Sequence, residues 1–171
     1  MIKTTRSHCS VTVVSDKTAY TAKHCGNNVW TIGTRVTNMG GQVIGTIDGM
    51  GNSEGSEPID AIRIRIADGV RVIGVNGTRD ASTLKLGEPL KAVGSMSRTT
   101  GTYSSDRRVR LGGAYPSMAI NAQVGSMGGD SGGAITDSQG RVVGLIKSGK
   151  TPRDTFFVPI DVVEKQLPAH R

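Results

Sequence analysis

Short runs of alternating apolar and polar residues, each closed within a few positions by turn chemistry, govern what this chain can fold into. They lie at residues 10–15, 30–37, 41–47, 61–66, 71–75, 89–95, 108–111, 118–124, 133–136, 141–147 and 155–158. A period of two puts alternate side chains on opposite faces of a strand, one against a core and one toward water. The breaks carry turn residues: Gly26-Asn27-Asn28, 38–41, 48–56, Asn76-Gly77, 137–140 and 148–152. Many short strands at this spacing predict an all-β sandwich or pair of barrels. Twenty-four glycines among 171 residues, about twice the usual share of ~7%, suit tight turns better than a helical bundle. One segment reads differently. Across 160–167 the apolar residues Val162, Val163 and Leu167 predict a short C-terminal helix. The length suits one domain with a real core.

The formal net charge is +7, which raises nucleic acid or an anionic surface as a partner. The pattern opposes nucleic acid. Arg63 and Arg65 alternate with Ile62, Ile64 and Ile66, as on a strand with one wet face. Arg107, Arg108 and Arg110 have only Tyr103 as a nearby aromatic, too little for a base-stacking platform. These are read as solvated faces. No run approaches the about 18 apolar residues that cross a bilayer, so no membrane span is expected. Residues 1–7 contain Lys3 and Arg6 with no apolar stretch behind them, so no signal peptide is read there.

Gly129-Asp130-Ser131-Gly132-Gly133 and Thr21-Ala22-Lys23-His24-Cys25 carry the chemistry. Flanking glycines leave the Ser131 hydroxyl uncovered and let the backbone turn tightly enough to aim successive N–H groups at one point. That suits a serine which attacks a carbonyl and must stabilise the resulting oxyanion. A serine hydroxyl needs a base. Of three histidines, His8 precedes Cys9 and His170 is one residue from the end, leaving His24. The base needs an orienting carboxylate. Asp60, opening the apolar run 61–66, is preferred to Asp48, which precedes Gly49-Met50-Gly51 in an expected loop. No Cys/His set has zinc spacing, and no metal or cofactor is expected. Asp48, Glu54 and Glu57 are read as a mobile acidic loop rather than as calcium ligands. Cys9 and Cys25 lie 16 positions apart, as a bridge or as two buried thiols.

The two motifs resemble the serine and histidine signatures of the chymotrypsin-like serine proteases, and the order His24, Asp60, Ser131 is theirs. Lys23 stands where the family has alanine, and Ala61 where isoleucine or valine is usual. Ser97-Arg98-Thr99-Thr100-Gly101 resembles a segment of the small bacterial branch, the α-lytic and Streptomyces proteases. The likeness runs from Cys9 to Ile160. It implies two six-stranded antiparallel β-barrels, 1–75 with His24 and Asp60 and 76–171 with Ser131, the active site lying in the seam. It implies a Cys9–Cys25 disulfide, hence an exported chain whose leader has been removed, and a monomeric serine endopeptidase acting on protein or peptide, open to a protein inhibitor. Gly129 and Ser131 would supply the oxyanion-hole amides. Gly125, Ser126, Met127, Gly128, Lys147, Ser148, Gly149 and Thr155 would line the substrate site. Gly125 stands where trypsin-like relatives carry an acid, and no histidine is placed for glutamate preference, so a medium-sized apolar or small residue is expected.

Two positions depart from the pattern. Asp130 in animal relatives pairs with a newly cut N-terminus; here Ile2 lies too near Cys9 for such an arm, and Arg98 is the expected partner. Lys147 falls where relatives have a serine bonded to the triad aspartate. Its ammonium would either bind Asp60 or lean toward the pocket, or the strand is offset by one. Two other functions fit the same residues: an intracellular or viral processing protease, and a non-catalytic binding protein using its basic surface on this fold.

Overall fold

The computed structural model describes residues 1–4, 8–151 and 153–170. Within them fourteen strands precede one helix. The first half holds β1 (Ile2–Lys3), β2 (His8–Cys9), β3 (Thr12–Val13), β4 (Thr18–Thr21), β5 (Arg35–Thr37), β6 (Val43–Met50) and β7 (Ile62–Ile66). The second holds β8 (Pro89–Val93), β9 (Arg98–Thr102), β10 (Arg108–Leu111), β11 (Ser117–Ala122), β12 (Ala134–Thr136), β13 (Val142–Thr151) and β14 (Asp154–Pro159), then helix α1 (Ile160–Gln166).

All named strand pairs are antiparallel. The five-stranded sheet β3-β4-β7-β6-β5 curls until β1 meets its far edge at Ile2↔Asn38. Because β1 also pairs with β2, which runs on toward β3, the sheet closes. The seven-stranded sheet runs β10-β11-β14-β13-β12-β8-β9. It closes where Thr102 and Gln123 exchange backbone hydrogen bonds of 3.1 and 3.2 Å, leaving β10 as an appended edge. Gly101 permits that closure, since a Cβ there would lie 1.9 Å from the Gln123 carbonyl oxygen. The expected pair of six-stranded barrels with a C-terminal helix is what the chain forms.

Each barrel has its own core, and a third lies between them. Ala19, Val36, Ile47, Ile62 and Ile64 fill the first barrel. Leu90, Tyr103, Ile120, Val143, Ile146 and Phe157 fill the second. The third joins Val14, Tyr20, Ile59 and Ala61 to Leu145, Val158, Ile160, Val163 and Leu167. Here α1 folds its apolar side back across the seam, and the Tyr20 hydroxyl donates to the Leu167 carbonyl at 2.6 Å in a buried bond.

Several sequence expectations are corrected. Residues 71–75 pair with nothing in a ladder; the run Val70, Val72 and Ile73 is instead the extended crossing between barrels, with Ile73 exposed. β4 escapes an alternation search because Thr18, Ala19, Tyr20 and Thr21 are all buried, between the first core and the central one. β9 escapes it because Arg-Thr-Thr-Gly-Thr has no apolar residue. Asp48 lies inside β6, not in a loop, and accepts from Arg63 Nε at 2.9 Å. β13 continues through the expected break at 148–151; Pro152, like residues 5–7, is outside the described residues.

Cys9 and Cys25 are bridged, tying β2 to the turn after β4. A closed loop of this length stabilises the fold by about 3 kcal/mol. The Cys9→Ser/Cys25→Ser double variant is expected to lose roughly 2–4 kcal/mol in urea denaturation, and wild type should show a matching loss under reductant.

Candidate active site

His24 sits on a single 3-10 turn, Lys23–Gly26, that follows β4 directly. The turn is stopped by Asn27 in the left-handed region (φ 47°), whose N–H bonds the His24 carbonyl at 3.1 Å. The disulfide at Cys25 fixes it from one side. Lys23 fixes it from the other, its ammonium reaching the Gly51 carbonyl at 3.0 Å and Ser53 Oγ at 2.5 Å.

Asp60 lies between buried Ile59 and Ala61 just before β7, with 1% of its surface exposed. A carboxylate there must have its lone pairs filled. Oδ1 accepts the His24 backbone N–H at 2.8 Å. Oδ2 takes His24 Nδ1 at 2.6 Å and Lys147 Nζ at 2.7 Å. The Asp60 N–H donates to Ser117 Oγ at 3.0 Å. Burial pushes the Asp60 carboxyl upward, but the hydrogen bond and charge of His24, followed by Lys147, hold it below the ordinary carboxylate range. An ionised carboxylate only accepts, so His24 Nδ1 carries a proton, and in the neutral imidazole Nε2 is then the acceptor. Nε2 is 3.0 Å from Ser131 Oγ. The serine proton has a second acceptor, the Lys147 carbonyl at 3.1 Å.

The turn before Ser131 closes with Asp130 N–H on the Met127 carbonyl at 3.0 Å. Gly129, its third residue, has φ 97°, the conformation that a type II turn requires and that glycine accepts without strain. Among the described residues neither the Gly129 nor the Ser131 N–H donates to a protein acceptor. Beneath them Asp130 is fully buried. Its Oδ1 accepts from Met96 N–H at 2.8 Å and Ser97 N–H at 3.0 Å, its Oδ2 from Met127 N–H at 2.9 Å. Three backbone amides therefore occupy the place expected for Arg98, which is exposed on β9.

Beside Ser131 opens a cavity of about 550 Å³, with Ser126, Met127 and Gly128 on one side and Ile146, Ser148, Gly149 and Thr151 on the other. Gly125 sits behind it, its carbonyl held by Thr99 Oγ1 at 2.6 Å. Thr155 is fully buried below and touches Ser126 Oγ at 2.8 Å. The Thr155 hydroxyl donates its one proton to the Val124 carbonyl at 2.7 Å, so Ser126 must donate to Thr155 and offers the cavity only lone pairs. The Lys147 ammonium leaves this space for Asp60 and the Tyr115 carbonyl (2.8 Å), the first of the sequence alternatives. The sequence reading missed Ser117, Tyr115, Ile146 and Thr151. None stands in a motif; Ser117, Ile146 and Thr151 reach the site on paired strands, and Tyr115 in the segment between β10 and β11.

No family model and no curated protein matches this sequence. Solved structures do. The Cellulomonas bogoriensis chymotrypsin crystal structure superposes with a TM-score of 0.71 at 21% identity, covering 96% of this chain and 90% of that one. The Rv3671c protease in an inactive form gives 0.66 at 16%, covering 93% and 81%. The HtrA-type protease AlgW with a decapeptide gives 0.68 at 16%, covering 94% of this chain and 51% of AlgW, so the chain spans about half of that protein. The fold is the chymotrypsin-like protease fold.

Asp60 contributes stability only while ionised. Its folded carboxyl titrates below its unfolded one, so that contribution is complete above the ordinary carboxylate range near pH 4 and is lost as pH falls through the lower folded value. Urea midpoints should hold from pH 7 to 5 and fall steeply below about pH 4, with a shallower fall in Asp60→Asn. Lys147→Met, which strips a cation from a buried carboxylate, should cost about 2–4 kcal/mol at pH 7.

Proposed function

We propose that this chain is a serine endopeptidase that works through an acyl-enzyme, with His24, Asp60 and Ser131 as its triad. The observation carrying this is the unbroken hydrogen-bonded line Asp60–His24–Ser131 beside two amides without a protein acceptor. Barrel 1–75 contributes the first two side chains and 76–171 the third. Ser131 Oγ bonds the scissile carbonyl carbon as its proton passes to His24 Nε2. The carbonyl electron pair moves to oxygen and is received by the Gly129 and Ser131 N–H groups, each such donor contributing about 3 kcal/mol. Collapse breaks the C–N bond, and His24 returns the proton to the leaving amine. Water then repeats the sequence on the ester, releasing the acid and restoring Ser131. Asp60 holds the productive tautomer and offsets the imidazolium charge.

Substrate preference follows from the cavity. Among its described lining residues none is charged, so an acidic side chain finds no cation and a basic one no anion. The proposed preference is a medium-sized apolar residue on the acyl side of the cut. β12 begins opposite Leu145, which leaves the edge of β13 at Ser148 and Gly149 open to pair with an extended peptide. AlgW's decapeptide supports a peptide as the substrate class. The disulfide fits an oxidising, extracellular setting, and no described helix is long and apolar enough to cross a membrane.

A fluorophosphonate should modify Ser131 in wild type and fail to modify Ser131→Ala or His24→Ala. Absence of labelling in wild type would leave the non-catalytic binding protein as the reading. A peptide-library profile should show cleavage after apolar residues. In Gly149→Val, whose Cβ would lie 3.4 Å from Ser126, cleavage after large side chains should fall at least about tenfold.

A further inference from the structure

The amides of Gly129 and Ser131 can serve an oxyanion only if the turn carrying them keeps one orientation, and the grip on that turn comes from the other barrel. Three carbonyls of the nucleophile segment are held by residues 10–12. Ser10 Oγ bonds the Gly129 carbonyl at 2.8 Å, Ser10 N–H the Ser131 carbonyl at 2.9 Å, and Thr12 Oγ1 the Gly132 carbonyl at 2.8 Å. Each carbonyl shares its peptide plane with the next residue's N–H, so these bonds fix the 129–130 and 131–132 planes, which flank the plane of the Ser131 amide and adjoin that of the Gly129 amide.

The Ser10 side chain is the specific part. It is 2% exposed, so each of its hydrogen-bonding sites must find a protein partner. A hydroxyl has one proton and two lone pairs. Ser95 N–H points to Ser10 Oγ at 2.7 Å and Ser95 Oγ lies at 2.8 Å. Ser95 N–H fills one lone pair, and the Ser10 proton faces two acceptors, the Gly129 carbonyl and Ser95 Oγ, each at 2.8 Å. Gly129 has no side chain to hold it and already occupies φ 97°; without the Ser10 bond the Gly129–Asp130 peptide keeps only the Asp130 N–H bond to the Met127 carbonyl.

We infer that Ser10 is a positioning residue for the oxyanion hole, locking the Gly129 carbonyl so that the neighbouring amides face the substrate. This rests on the proteolytic reading above. It also fits a formed turn whose buried Asp130 is met by the amides of Met96, Ser97 and Met127.

The test uses the full chain, a peptide substrate taken from the cleavage profile, and burst titration to count functional sites. Ser10→Ala should lower kcat per titrated site about 10- to 100-fold while KM moves less than about threefold. A peptidyl aldehyde, whose hemiacetal oxygen occupies the hole, should weaken by a similar factor. Ser10→Thr, which keeps the hydroxyl, should return most of the loss. Should Ser10→Ala not fold, Ser10→Cys, of similar size but a weak donor, takes its place with the same readouts. An unchanged kcat per site with fewer functional sites would reduce Ser10 to a stability role and overturn the inference. A wild-type chain that neither labels nor hydrolyses peptides overturns the proteolytic reading instead.

Discussion

Asp60 is the constraint around which the rest of this molecule is arranged. A carboxylate with almost no solvent contact is tolerable only if every lone pair is filled and its charge is matched. The groups that do so come from distant parts of the chain. His24 supplies two donors from the turn after β4, and Lys147 supplies an ammonium from β13 in the other barrel. Ser117, from β11, takes up the Asp60 amide. Satisfying one buried charge thus draws together His24 and two strands of the second barrel. The Lys147 backbone, positioned by the same strand, then presents its carbonyl to Ser131.

A second buried carboxylate, Asp130, solves the same problem by another route. Its partners are backbone amides of Met96, Ser97 and Met127, so its charge is met by dipoles rather than by a cation. The two solutions suit their neighbourhoods. Around Asp60, a nearby ammonium and imidazole can share one negative charge. Under the nucleophile turn, amides also define backbone shape, and a Cβ on Gly94 would fall 2.2 Å from Asp130 Oδ1. Shape is what that turn must keep.

How much of this was legible in the sequence depends on the range of the interaction. His24 and Ser131 were legible because each sits in a local motif whose glycines, turn and neighbours are contiguous. The C-terminal helix was legible from its own spacing, and most strands from alternation. β4 was not, because both faces of that strand are buried and Thr18, Ala19, Tyr20 and Thr21 show no alternation. β9 was not, because its polar composition is held in place by neighbours, not by its own apolar face. The resemblance to a branch with an internal arginine points to Arg98 for Asp130, whereas the partners are main-chain groups that every sequence possesses. Apparent basicity was also partly misleading. Arg108 is consumed by a two-point bond to Asp161 at 2.7 and 3.0 Å, and Arg79 by Glu88 and Asp137.

The separation between Ser131 and His24 is finally a property of the seam. One side chain rides on each barrel, and nothing in either barrel alone fixes the distance between them. That distance is set by the central core of Tyr20, Ile59, Leu145, Val158 and α1, by the Tyr20 bond to Leu167, and by the grip of residues 10–12 on 129–132. Proton transfer tolerates little error, and a displacement of about 1 Å can cost on the order of a hundredfold in rate. On the proposed reading, the buried hydroxyls and the helix far from Ser131 are therefore part of the reaction geometry. They turn two separately closed sheets into one rigid support for a 3.0 Å contact.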